Sequence, residues 1–102
     1  MNTEPIRVLT MVKGFTEAWY QLSDAEQQAW WVRLQAISEG VGAKWLVRCD
    51  SRWANEEYLF WGVLEYPTLG ACRKAIAENE KEGWYRYVVA TTLLGTEFSE
   101  LG

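Results

Sequence analysis

The first third of the chain contains one strand pattern and one helix pattern. Ile6 to Val12 (IRVLTMV) has apolar residues at both odd and even positions, several of them β-branched, which is typical of a strand covered on both faces. Gly14 to Leu22 is irregular and predicts a loop. Ser23 and Glu26 then form an S-x-x-E capping box, which predicts a helix from Asp24 to about Glu39. Its buried stripe is expected at Ala29, Trp30, Leu34, Ile37 and Val41.

The rest of the chain predicts two strands, a second helix and a last strand. Lys44 to Asp50 and Tyr58 to Tyr66 are rich in aromatic and β-branched residues and are joined by a polar segment, which indicates a long hairpin. Thr68 is a suitable N-cap for a helix from Leu69 to about Glu82. Tyr87 to Leu94 predicts the final strand. The apolar stripe of the second helix is expected at Leu69, Cys72 and Ile76, followed by Asn79 and Gly83.

This order of elements predicts a ferredoxin-like βαββαβ fold of the α+β class. Right-handed crossovers place both helices on one face of a four-stranded antiparallel sheet with the strand order 4-1-3-2. Residues 1–102 then form one domain. Because the strands are apolar on both faces, we expect the second face to be covered by the sheet of another subunit, in a homodimer.

Composition excludes several kinds of chemistry. The 102 residues include seven Trp and two Cys but no His. Without imidazole there is no Ser-His-Asp or Cys-His catalytic system and no His-ligated metal. Cys49 and Cys72 have neither the spacing of a zinc site nor the number needed for a disulfide framework. We therefore expect no metal, and any acid–base chemistry falls to carboxylates, Tyr or Lys.

Charge and hydropathy narrow the choice of partners. The formal net charge is −4, and the acidic excess lies after residue 55. No basic stripe is present to neutralise phosphates, so neither nucleic acid nor an anionic membrane is an expected partner. No apolar run is long enough for a membrane span or a signal peptide. We expect a cytoplasmic protein.

Several segments resemble a known superfamily. The chain length, the βαββαβ order, the two-sided strands and the segment EGWYRYVV after the second helix together resemble the dimeric α/β-barrel superfamily. GFTEAWYQLSDAEQQAWW and WYRYVVATTLLGTEF are also similar to darcynin-type proteins. The resemblance implies a small-molecule pocket between sheet and helices. Members include haem-degrading and cofactor-free monooxygenases, cyclases, isomerases and non-catalytic proteins. Many catalytic members place His on or just after the second helix, where this chain has Asn79, so no cofactor is expected.

Asn79 is the first candidate catalytic residue, because it interrupts the apolar stripe of the second helix. A buried amide needs hydrogen-bond partners, which here are either free carbonyls and water at the helix end or a ligand. Trp84, Tyr85 and Tyr87 would flank such a pocket and stack on a planar substrate, or belong to the core.

The hairpin supplies the other candidate catalytic residues. A regular register that pairs Lys44 with Glu65 also places Arg48 opposite Trp61, within reach of a cation–π contact. This arrangement is either an ion pair and a stack at a subunit interface, or an anion clamp by Arg48. In the second case Asp50 or Glu65 acts as a base whose pKa is raised by burial.

Three further Trp and Tyr residues lie outside these patterns. Trp19 and Tyr20 form either a lid over an aromatic pocket or a plug for the core. Trp31 does not belong to the apolar stripe of the first helix, which indicates that it lies on a contact surface or in a patch covered by the loop.

Two functional hypotheses remain. The first is a cofactor-free enzyme, a monooxygenase, cyclase or isomerase, that acts on an aromatic or polyketide-like molecule. Its catalytic candidates are Asn79, Glu65, Asp50 and Arg48, and its substrate-binding candidates are Trp84, Tyr85, Tyr87, Trp61, Trp19 and Tyr20. The second hypothesis is a non-catalytic domain of the same fold that binds an apolar ligand or a partner.

Overall fold

The computed structural model describes residues 4–54 and 56–98. Its elements, in chain order, are β1 (Ile6–Phe15), α1 (Glu17–Tyr20), α2 (Asp24–Gly40), β2 (Lys44–Asp50), β3 (Phe60–Tyr66), α3 (Leu69–Lys81), α4 (Trp84–Tyr87) and β4 (Val88–Gly95). The strands form a four-stranded sheet in the order β2-β3-β1-β4, with every neighbouring pair antiparallel. The predicted fold class and strand order are confirmed.

The main differences from the predicted boundaries lie around the end of β1. The strand continues to Phe15, because a bulge at Lys13 allows Phe15 to pair with Val88. The predicted loop therefore begins later and contains the short helix α1. Tyr87, predicted as the first residue of the last strand, instead ends the short helix α4.

Both main helices begin at the predicted caps. Ser23 Oγ accepts a hydrogen bond from the Glu26 backbone N–H at 3.1 Å, and the Glu26 carboxylate accepts one from the Ser23 N–H at 2.8 Å. The capping box at α2 is thereby confirmed. At α3, Thr68 Oγ1 accepts a hydrogen bond from the Ala71 N–H at 3.0 Å. These local contacts depend only on residues within one turn.

The buried faces of the helices agree with the predicted stripes except at two positions. Trp30 and Leu34 are buried on α2, whereas Ala29 is exposed. On α3 the fully buried residues are Cys72 and Ala75, while Leu69 is 37% exposed. Cys72 and Ala75 are spaced i, i+3, so the small Ala75, rather than Leu69 at the first position of the helix, fixes the contact with the sheet.

The helices cover one face of the sheet and leave the other without cover from the described residues. On the covered face the core has two clusters, one around Val8, Leu64 and Cys72 and one around Val12, Trp30 and Val88. Alternation along the strands places a different set of apolar residues on the bare face. This set comprises Leu9, Met11, Val47, Trp61, Val63, Val89 and Leu93.

The pairing of β2 with β3 changes register part-way along. Lys44 pairs with Glu65 and Trp45 with Leu64, but Val47 pairs with Val63, so Leu46 is an extra residue. After this bulge, Arg48 lies opposite Gly62 rather than opposite Trp61 as predicted. The side chains of Trp45, Arg48 and Asp50 therefore lie on the face that the helices cover. The predicted regular register is wrong beyond Trp45.

Tyr66 makes the stability of the fold sensitive to high pH. Burial raises the pKa of the Tyr66 hydroxyl from about 10 to about 12, against a smaller opposing effect of its hydrogen bond with Ser38. Below pH 10 both the folded and the unfolded chain hold the proton. Between pH 10 and 12 only the unfolded chain ionises, so the free energy of unfolding falls as the pH rises.

We expect Tyr66→Phe to show a shallower fall in the free energy of unfolding above pH 10, measured by urea denaturation at a series of pH values. Some dependence should remain, because burial also raises the pKa of the Cys72 thiol. The matched control is Tyr85→Phe, which removes the same hydroxyl from an exposed position. Equal slopes for wild type and Tyr66→Phe would contradict the prediction.

Candidate functional site

A cleft of about 1190 Å³ lies between the sheet and the helices. Its walls come from all four strands and from α1, α2, α3 and α4. Nine aromatic side chains line it: Phe15, Trp19, Trp31, Trp45, Phe60, Trp61, Tyr66, Trp84 and Tyr85. A cleft of this size and character suits a planar, mostly apolar small molecule.

Asn79 lines this cleft and carries a buried hydrogen-bond acceptor without a described partner. It lies in the last turns of α3 and lines the cleft together with Ile76 of the same helix. Its side-chain oxygen Oδ1 is buried and accepts no hydrogen bond from any residue in the described part of the chain. A buried carbonyl oxygen without a partner costs about 1–3 kcal/mol. The sequence-based expectation of an amide on a pocket wall agrees with this position.

The aromatic side chains around Trp30 hold α4 against α2. Trp30 is 1% exposed and donates a hydrogen bond from Nε1 to the Glu82 carbonyl oxygen at 2.7 Å. The Trp84 ring stacks on it, with ring centroids 6.1 Å apart and an angle of 12° between the planes. Trp84 therefore has a fixed orientation at the cleft wall, close in sequence to Asn79.

The remaining aromatic candidates fall into different environments. Trp19 is 5% exposed and packs against Phe15, Trp30 and Trp31. It is therefore a core residue that also lines the cleft, and not a lid over it. Trp31, which was expected on a contact surface or under the loop, packs against Trp19 and lines the cleft. Tyr85 is exposed at the cleft wall, whereas Tyr20 is 66% exposed and does not line it. Tyr87 packs against Trp19 and Trp30 behind the wall.

Asp50 lines the cleft but is held by Arg52. Arg52 Nη2 lies 2.8 Å from Asp50 Oδ2, and Arg52 Nε lies 3.0 Å from Asp50 Oδ1. Hydrogen bonds from the Arg52 side chain and backbone lower the pKa of Asp50 to about 2. The expectation that burial raises the pKa of Asp50 is wrong, because the carboxylate is exposed and doubly hydrogen-bonded.

Arg48 lies at the same wall as Asp50, with its guanidinium carbon 5.2 Å from the centre of the Trp45 ring. The cation–π contact predicted for Arg48 therefore exists with Trp45 on its own strand, not with Trp61. Trp61 borders the cleft and also a smaller groove on the bare face, which it shares with Leu9 and Met11.

Glu65 lies on the bare face and does not line the cleft. Its carboxylate is 3.0 Å from Arg7 Nη2 and 3.5 Å from Lys44 Nζ. The predicted ion pair with Lys44 is confirmed. The structure does not bring Glu65 together with the other candidate catalytic residues Asn79, Asp50 and Arg48.

Sequence reasoning missed Trp45 and several polar residues of the cleft. The predicted regular register, by alternation, puts Trp45 on the opposite face from Arg48, and only knowledge of the bulge would correct this. The missed polar residues are Thr10, Gln35, Ser38, Cys49, Arg52, Tyr66 and Thr92. The sequence does contain a signal for Thr10 and Thr92. Each is an even number of residues away from apolar core residues of its own strand, so its side chain lies on the same face as theirs.

The described residues offer neither a metal site nor a membrane-spanning helix. Within residues 4–54 and 56–98, no group of three or more His, Cys, Asp or Glu side chains is placed to hold a metal ion. In the same part of the chain, none of the helices combines the length and apolarity required to span a bilayer.

Comparisons with known proteins yield structural relatives but no family. No protein-family model and no curated protein matches the chain. A protein of unknown function from Rhodopseudomonas palustris superposes with a TM-score of 0.65 at 16% identity, over 95% of this chain and 85% of that chain. SnoaB, a cofactor-independent oxygenase from Streptomyces nogalater, superposes with a TM-score of 0.56 at 13% identity, over 96% of this chain and 97% of that chain.

An asparagine-to-alanine variant of SnoaB also superposes, with a TM-score of 0.53 at 14% identity and 97% coverage of both chains. At such identities these likenesses establish the ferredoxin-like fold and do not transfer an activity. The resemblance to darcynin-type proteins finds no support in these structures.

Gly62 allows Trp45 and Arg48 to lie against the sheet. A methyl group at Gly62 would be 2.7 Å from Trp45 Cζ3, 2.9 Å from the Val47 carbonyl oxygen and 3.3 Å from Arg48 Cγ. The first two distances are too short for carbon contacts, and the Val47 oxygen is backbone, so β2 itself would have to move.

We expect Gly62→Ala to lower the free energy of unfolding by about 1–3 kcal/mol, the usual cost of overpacking, as measured by urea denaturation. Near-ultraviolet circular dichroism should change as Trp45 is displaced. The control is Gly70→Ala in α3, where the nearest atom, Thr68 Oγ1, is 3.8 Å away and alanine favours the helix. A Gly62→Ala protein as stable as wild type would contradict the prediction.

Proposed function

We propose that the protein is a cofactor-free oxygenase that oxidises a phenolic aromatic molecule bound in the cleft. The observation that carries the proposal is the buried, unsatisfied Oδ1 of Asn79, a residue that lines the cleft together with nine aromatic side chains. A phenolic hydroxyl supplies the missing hydrogen-bond donor, and the aromatic body of the same molecule fits the rest of the lining.

The reaction needs no electrons from the protein. A phenol that takes up O₂ at an unsubstituted ring carbon forms a quinone and one water molecule. One oxygen atom becomes the new carbonyl, and the other leaves as water with the two hydrogen atoms lost by the substrate. The substrate is thus both the reductant and the molecule oxygenated, so the cleft has to orient it and limit access of water.

The described side chains suit these two tasks. Asn79 Oδ1 would accept the hydrogen bond of the substrate hydroxyl and so fix the orientation of the ring. Trp84, held by its stack on Trp30, would offer a flat surface beside it. Tyr85 would cover the exposed side of the substrate.

SnoaB supports the choice among the reactions open to this fold. It is described as a cofactor-independent oxygenase and covers almost the whole of this chain. A cyclase or isomerase would instead require a general base in the cleft. Within the described part of the chain, Asp50 is the carboxylate that lines the cleft, and its ion pair with Arg52 makes it a weak base.

The proposal extends to a homodimer formed through the bare face of the sheet. Leu93 is 57% exposed there, next to the strand that carries Leu9. Pairing two such faces would remove a continuous apolar surface from water, and it would supply the second layer that a two-sided sheet needs. Arg7, Glu65 and Lys44 form ion pairs on the same face.

The first test uses anthrone, whose enol tautomer is a phenol and whose oxidation product is anthraquinone. We expect oxygen uptake by the wild type and a fall in kcat of about 100-fold for Asn79→Leu, which keeps the size but removes the acceptor. Glu80→Gln, on the exposed side of the same helix, is the matched control and should retain activity. Oxygen consumption and anthraquinone absorbance measure the rate.

Binding must be measured in parallel by tryptophan fluorescence. If wild type binds anthrone but consumes no oxygen above the uncatalysed rate, the protein is the non-catalytic binding domain of the alternative hypothesis. If Asn79→Leu turns anthrone over as fast as wild type, the assignment of Asn79 is wrong.

The second test concerns the dimer. We expect wild type to be dimeric at micromolar concentration by light scattering and Leu93→Glu to be monomeric, because a carboxylate would be buried in the interface. Val32→Glu, at an equally exposed position on α2, should stay dimeric. A monomeric wild type would overturn the dimer proposal.

A further inference from the structure

We propose that the substrate of the cleft is an aromatic monoanion, whose carboxylate binds to Arg48 while its hydroxyl lies in the apolar part. This inference rests on the proposed function and names the class of molecule that the same cleft takes. It follows from the balance of charges on the cleft wall.

Among the described residues, three charged side chains line the cleft: Arg48, Asp50 and Arg52. Asp50 and Arg52 neutralise each other through two hydrogen bonds of 2.8 and 3.0 Å, and a third hydrogen bond joins Asp50 to the Arg52 backbone N–H at 3.0 Å. Arg48 is left as the uncompensated charge. No described carboxylate lies within ion-pair distance of its guanidinium.

Arg48 is an exposed residue that packs against two groups of the wall. Its guanidinium lies over the Trp45 ring at 5.2 Å, and its stem packs where Gly62 has no side chain. Stacking on one face of a guanidinium leaves its edge donors available. These donors match the two oxygens of a carboxylate, which a single Arg binds in a bidentate manner.

The charge of the whole chain makes this position stand out. The protein carries a formal net charge of −4, so most of its surface disfavours an anionic ligand. A single uncompensated guanidinium suits one negative charge, and a phosphate dianion would need further cations that the described wall does not offer. Asn79 on α3 also lines the cleft, and its unsatisfied Oδ1 requires a donor rather than an anion.

The test compares two ligands that differ by one carboxylate, 2-naphthol and 6-hydroxy-2-naphthoic acid, by isothermal titration calorimetry at pH 7. We expect wild type to bind the acid about tenfold more tightly than the naphthol, as one charge-assisted pair allows. In Arg48→Gln the two dissociation constants should become equal. Arg48→Lys should retain part of the preference, because it keeps the charge but not the bidentate geometry.

Arg73→Gln is the matched control, since it removes the same charge from an exposed position on α3 outside the cleft. It should keep the full preference for the acid. Raising the salt concentration should reduce the preference of wild type and of Arg73→Gln, and should leave the two dissociation constants of Arg48→Gln equal.

The outcomes separate this inference from the proposed function. Binding of the naphthol with no preference for the acid overturns the inference and leaves the proposed function standing. An equal loss of preference in Arg73→Gln and Arg48→Gln also overturns it, because the effect is then one of net charge. Binding of neither ligand overturns both proposals.

Discussion

The extra residue at Leu46 in β2 determines which side chains the cleft receives. Because side chains alternate between the faces of a strand, one inserted residue moves all those that follow to the other face. In a regular pairing, Arg48 and Asp50 would lie with Glu65 on the bare face. The bulge instead places them with Trp45 at the wall of the cleft, and the missing side chain of Gly62 on β3 leaves room for them. The charge of the cleft is therefore a consequence of strand register.

The opposite wall depends on aromatic packing. Trp30 contacts rings from α1, α2 and α4 and donates its N–H to the carbonyl of Glu82, just after the end of α3. This hydrogen bond satisfies a carbonyl that the helix end would otherwise leave free. It also fixes the turn through Gly83, whose φ of +96° favours glycine. Asn79 and Trp84 lie on either side of this turn, so the packing of one core residue positions both.

The sequence allowed prediction of the features that depend on neighbouring residues and on the order of the elements. The caps at Ser23 and Thr68 need only residues within one turn, and the order of elements with right-handed crossovers leaves few topologies. Asn79 was identified because a single polar residue interrupts an apolar stripe, a signal that needs no knowledge of the rest of the fold. The register of β2 was not predictable in this way, since a bulge on an edge strand depends on which side chains fit against β3. Arg48 was thus a candidate for a contact with Trp61 that it does not make, and Glu65 was grouped with residues on the other side of the sheet.

The two walls together constrain the chemistry. A carboxylate that acts as a general base has to be free and to have a raised pKa, but Asp50 is paired with Arg52 and Glu65 lies behind the sheet with Arg7 and Lys44. The described part of the cleft presents flat aromatic surfaces, Asn79 with its unsatisfied amide oxygen, and the Arg48 guanidinium without a described carboxylate partner. Under the proposed function these groups would hold a planar molecule in one orientation, and the reactivity would come from that molecule, as it does when a phenol reduces oxygen.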